Sequence, residues 1–114
     1  MLPVTNVPRA IAFYESLGFT VGNSHTPEGA GEPFWAWLYN GRAHLMVNQA
    51  DGPIQATHHS ASIWVYTADV HDAHAILRAR GVDVGEVDYP FYNRGGEFHV
   101  HDPDGYAIYI AKAD

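Results

Sequence analysis

A segment that occurs twice constrains this chain more than any other feature. VPRAIAFYESLG and VHDAHAILRARG superpose Val7 on Val70, Ala10 on Ala73, Ala12 on Ala75 and Gly18 on Gly81, and the match runs on to Val21 and Val84. The offset from Val7 to Val70 is 63 residues in a chain of 114, about half its length. Each copy reads as an amphipathic helix, with Ile11, Tyr14 and Leu17 at helical spacing in the first. Val70, Ala73, Ile76 and Leu77 share one face of the second. Asn6 and Asp69 stand as N-caps, Pro8 falls in a first turn, and Gly18 and Gly81 act as stops.

The flanks repeat as well. A strand-like run precedes each helix, LPVTN in the first half and SASIWVYT in the second. Further runs follow: FTVGNSH, PFWAWLYN and RAHLMVNQ after the first helix, VDVGEVDYP, GGEFHVH and YAIYIAK after the second. Asn40-Gly41 joins one pair as a hairpin, and DPDG joins another. Both halves therefore read β-α-β-β-β. The expectation is a single domain over residues 1–114, with module one at 1–50, a linker at 51–59 (DGPIQATHH) and module two at 60–114.

A duplicated βαβββ unit predicts an α+β fold. Helices cover one face of each part of a curved mixed sheet, and the opposite faces curl around a cleft. Strand alternation then says which residues face it. Ala43, Leu45 and Val47 go to the core, which turns His44 and Met46 to the cleft. Ile63 and Val65 likewise oppose Ser62, Trp64 and Tyr66, while Phe98 and Val100 oppose Glu97, His99 and His101. Ile108 and Ile110 oppose Ala107 and Tyr109. In FWAWL both parities are apolar, and taking Phe34, Ala36 and Leu38 as core adds Trp35 and Trp37 to the cleft. Phe91 and Tyr92, before EFHVH, are placed to close one end. The predicted lining is rich in indole, phenol and imidazole rings.

Composition narrows the function. With 13 acidic residues against 6 Lys and Arg, the formal charge is -7, and the few basic residues are scattered. A nucleic-acid surface needs a concentrated basic patch, so that class is set aside. The absence of cysteine removes disulfides, thiolate metal sites and a cysteine nucleophile. No apolar run approaches the roughly 18 to 20 residues that span a bilayer, and the N-terminus does not read as a signal segment. A soluble, cytoplasmic protein without membrane contact is the expectation.

AIAFYESLGF, the paired βαβββ plan and DPDGYAIYI together resemble the vicinal-oxygen-chelate superfamily over essentially the whole chain. That superfamily includes glyoxalase I, extradiol dioxygenases, fosfomycin-resistance enzymes and bleomycin-resistance proteins. The resemblance implies a divalent metal held by strand residues of both modules in the enzymes. The first ligand position falls before the first helix, where the chain leaves no room for it. The others fall on His44, Ser62 and Tyr109, the last of which stands where a Glu commonly follows the DPDG turn. Neutral Ser and Tyr hydroxyls are poor ligands for transition metals, so no metal and no cofactor is expected. SIWVYTADVHDA and GGEFHVHDPDG are similar to the metal-free bleomycin-resistance proteins, although Gly96 replaces a common Arg. Such proteins are dimers that sequester one drug molecule in each of two interface grooves.

The resulting expectation is a homodimer that binds a planar aromatic antibiotic without altering it. An alternative is a metal-dependent lyase, isomerase or dioxygenase with atypical ligands, using His99, His101, Glu97 and His44. A third is a metal-free enzyme with Glu97 or a histidine as base, for which no orienting partner is apparent. The aromatic residues have an ordinary reading too, as core or interface residues, and the histidines one as half-exposed strand residues. His58 and His59 read as solvated, His71 and His74 as exposed helix residues, and His25 as a loop residue.

Overall fold

The computed structural model describes residues 1–55 and 61–114, which form two compact units, Met1–Ala56 and Thr57–Asp114. The end of the expected linker, with His58 and His59, lies outside the described residues.

In the first unit β1 (Leu2–Val4), α1 (Val7–Ser16), β2 (Thr20–His25), β3 (Trp35–Asn40) and β4 (Ala43–Gln49) follow the expected order. The sheet order is β1-β4-β3-β2, with β1 parallel to β4 and the other pairs antiparallel. The β3–β4 register sets Ala36 opposite Val47 and Leu38 opposite Leu45 on one face. Ala36, Leu38 and Val47 are buried there with Val4, Val7, Ala10, Tyr14 and Phe19, and α1 packs on β2, β3 and β4.

The second unit contains β5 (Ser62–Thr67), α2 (Val70–Ala79), β6 (Glu97–His101) and β7 (Ala107–Lys112), in the sheet order β5-β7-β6. β5 runs parallel to β7, and β6 antiparallel to it. Phe98 opposes Ile110 and Val100 opposes Ile108 beneath α2, and all four are buried together with Val70 and Leu77.

The repeat extends to the helix ends. Asn6 Oδ1 accepts the Arg9 amide at 2.9 Å, and Asp69 Oδ1 accepts that of Asp72 at 3.0 Å. At the far ends the Phe19 amide returns to Tyr14 O and that of Val82 to Leu77 O. The Gly18 and Gly81 amides return to Glu15 O and Arg78 O. Both glycines adopt positive φ, 99° and 83°, so the two helices stop by the same left-handed device.

The structure corrects several expectations. VDVGEVDYP forms no strand; it follows β6 through isolated bonds, Gly85 to His99 and a reciprocal Asp88–Glu97 pair. Its aspartates and glutamate have low strand propensity and Pro90 has no amide to donate to a ladder, and the second module is thus βαβββ-like with one incomplete strand. Phe34 precedes β3 and is exposed, Ala43 is exposed beside the Gly41 turn, and Ile76 projects from α2 with 43% exposure. Ile63 and Val65 are half-buried rather than core. His25 ends β2 opposite Trp35 instead of lying in a loop.

Candidate functional site

In the first unit the face of β3 and β4 turned away from α1 carries the aromatic residues. Trp37 opposes Met46, and Tyr39 opposes His44. The Trp37 indole Nε1 donates to His44 Nδ1 at 3.0 Å, with the two ring planes only 6° apart. Tyr39 leans on Trp37 at 5.7 Å. The indole can lie down because of Gly22 on the neighbouring strand, at an irregularity between Val21 and Asn23. A Cβ there would meet Trp37 Cζ3 at 2.5 Å. Trp35 and Trp37 are half-buried, while His44 and Met46 are exposed.

The second unit holds a denser cluster. Register aligns Trp64 on β5, Tyr109 on β7 and His99 on β6 in one row across the sheet. Trp64 stacks on Tyr109 at 4.4 Å and 9°, and His99 lies 5.5 Å from the same phenol. Rings 4.4 Å apart are already in contact, so a ligand reaches the outer face of Trp64 and cannot enter between them. The next row is Tyr66, Ala111 and Glu97, and the small side chain at its centre is fully buried. Ser62, Ala107 and His101 form the row on the other side.

Tyr92 ties the loop after residue 88 to this face. Its hydroxyl donates to Glu97 Oε1 at 2.6 Å, and its ring meets Trp64 edge-on at 5.9 Å. Donation to that carboxylate is the main cause that pushes the Tyr92 phenol up to about 12; partial burial and the negative charge of Glu97 add to it. Glu97 departs from the expected open position. It is only 5% exposed, and its Oε2 is buried without a hydrogen-bond partner. An unsatisfied buried acceptor of this kind costs about 1–3 kcal/mol.

The remaining residues lie further out. Phe91 packs edge-on against Tyr92 and is 88% exposed, and Tyr66 and Ser62 are also exposed. Asn93 Nδ2 donates to Lys112 O at 3.0 Å and anchors the loop to β7, a role the sequence reading missed. His71 is exposed on α2 as expected, with its Nε2 paired with the Tyr89 hydroxyl, whereas His74 is half-buried and its Nε2 donates to Gly85 O. Gly96 is buried with φ 101°, and a Cβ would lie 3.1–3.3 Å from Tyr89, Val87 and Val70. Any side chain there is strained by the positive φ and crowds these three neighbours.

The donor set does not fit the divalent metal of the related enzymes. His44 already accepts at Nδ1, Ser62 offers a neutral hydroxyl, and Tyr109 lies beneath an indole. The rings of His99 and His101 stand 5.4 Å apart and perpendicular, and Glu97 is directed to Tyr92 instead of to them. Among the described residues no group of three or more His, Asp or Glu side chains converges to hold a metal ion.

The two units thus repeat a βαβββ-like plan, and each carries an aromatic face on the side of its sheet turned away from its helix. The family model described as the Glyoxalase/Bleomycin resistance protein/Dioxygenase superfamily matches residues 1–110, and the chain belongs to that superfamily. Among solved structures it is similar to a bleomycin-binding protein complexed with bleomycin, with TM-score 0.79 and 18% identity over 99% of this chain and 94% of that one. A bleomycin resistance determinant encoded on the transposon Tn5 gives TM-score 0.80 and 18% identity over 99% and 93%. TnmS3, an antibiotic binding protein from Streptomyces sp. CB03234, gives 0.73 and 23% over 99% and 91%. At these identities the likeness is one of fold. No curated protein sequence matches the chain at a significant level.

Proposed function

We propose that this protein sequesters a bulky, partly aromatic natural product, binding it without chemistry. The observation that carries the reading is the Trp64–Tyr109–His99 row, flanked by Tyr66, Phe91 and Tyr92, on the sheet face that α2 does not cover. Exposed rings in such number are unusual on a monomer's surface and fit a planar heteroaromatic partner. Stacking contributes roughly 0.5–1.5 kcal/mol per ring pair beyond the area buried. Trp35, Trp37, His44 and Met46 form a second aromatic face available to the same ligand or to another copy of the chain. Function as a cytoplasmic homodimer with the ligand in an interface groove belongs to the proposal. The similarity in fold to a bleomycin-binding protein and to an antibiotic binding protein supports it. The metal-dependent alternative lacks a donor set among the described residues.

Titration with bleomycin and other planar antibiotics, followed by tryptophan emission, tests the proposal. A saturable change, reduced in Trp64→Ala, and mass-spectrometric recovery of unaltered ligand are expected. Emission indifferent to every compound tried, or a chemically changed ligand, refutes the reading.

A further inference from the structure

We infer that the ligand carries a protonated amine and that Glu97 receives it. This rests on the aromatic binding face proposed above and specifies one group of the molecule that face takes. Glu97 sits in the row next to Trp64, and only one of its carboxylate oxygens is used. Tyr92 donates to Oε1, whereas Oε2 is buried with no partner. Interior polar atoms are nearly always satisfied, so a carboxylate oxygen left over marks a place where a donor arrives.

The surroundings say what kind of donor. Tyr92 meets Trp64 edge-on, and Trp64 lies flat on Tyr109, so rings gather beside the carboxylate. Ring faces attract cations, most strongly where water is excluded. No Lys or Arg nitrogen bonds to Oε2. An ammonium group satisfies both requirements together: with the exposed Tyr92 side chain displaced from over the carboxylate, an N–H completes Oε2, and the remaining positive charge faces indole and phenol. The formal charge of -7 adds a long-range attraction of the same sign. A hydroxyl donor supplies the hydrogen bond without the charge, which gives the comparison a neutral control.

Binding of 2-phenylethylammonium and of neutral 2-phenylethanol to the full chain, measured by calorimetry and tryptophan emission at neutral pH, decides the matter. The ammonium compound is expected to bind about tenfold or more tightly than the alcohol. Glu97→Gln is expected to erase that advantage, and the circular dichroism spectrum and urea midpoint of the variant verify that it is folded. Tyr92→Phe, which frees Oε1, is expected to keep the preference and serves independently of the first variant. Equal affinities in the unmodified protein overturn the amine assignment but leave the aromatic face standing. Binding of neither compound overturns both, and an advantage that survives Glu97→Gln removes Glu97 from the role.

Discussion

Replacing Gly22 with alanine inverts a familiar expectation. Gly22 has no positive φ, and Gly→Ala at a compatible site stabilises by about 0.4–1 kcal/mol by restricting the unfolded chain. Here the new methyl lands 2.5 Å from Trp37 Cζ3 and 2.6 Å from Cε3, far inside contact distance. The indole must leave, and its bond to His44 goes with it. Overpacking of this kind costs about 1–3 kcal/mol, and the lost hydrogen bond about 0.5–1.5 kcal/mol. The clash therefore outweighs the entropic gain, and Gly22→Ala is expected to destabilise by roughly 1–3 kcal/mol. Urea unfolding measures the change, and near-ultraviolet circular dichroism reports the displaced indole. The decisive comparison is made in a Trp37→Ala background, where Gly22→Ala becomes neutral or stabilising because nothing remains to clash. An equal penalty in both backgrounds, or a more stable single variant, refutes the account of why Trp37 lies where it does.

Phe98, 1% exposed and touched edge-on by His74, is expected to cost about 3–5 kcal/mol on truncation to alanine, read from urea denaturation. Gly96→Arg forces a side chain onto φ 101° and is expected to destabilise by roughly 1–3 kcal/mol in thermal unfolding. For Tyr92 the folded pKa, about 12, lies above its ordinary 10.0, so the Tyr92–Glu97 contribution to stability is complete below pH 10.0 and fades as pH rises through about 12. Tyrosinate absorbance, as a difference between the unmodified protein and Tyr92→Phe, locates that ionisation, and Glu97→Gln is expected to return it toward 10.0.

Period and punctuation carried most of the architecture. Asn6, Asp69, Gly18 and Gly81 bound the helices as expected because caps and left-handed stops are local chemistry. Alternation placed Phe98, Val100, Ile108 and Ile110 in the core because two strands of one sheet agree on their buried face. Alternation alone could not separate Glu97 from His99 and His101. They share a parity, but only Glu97 is covered by a ring from Tyr92, which approaches through a loop with no periodicity to betray it. Phe34 and Ala43 failed for a related reason, since a core pattern extended to a strand's first residue or beyond it runs past the helix that buries it. The stacking of Trp64 on Tyr109 joins β5 to β7, and its register became visible only once the parallel pairing was known.

The reciprocal backbone pair between Asp88 and Glu97 closes residues 89–96 into a self-contained loop, braced by Asn93 bonds to Pro90 O and Lys112 O. Phe91 projects from the middle of it and supports nothing in the core. Exposed positions of this sort change stability by less than about 0.5 kcal/mol when substituted. Position 91 can therefore be changed without renegotiating the sheet, much as an exchangeable tip is fitted to a fixed handle, while Tyr92, Asn93 and Gly96 keep the loop in place. Diversification of what the face accepts is open to such a chain at little risk of losing its fold.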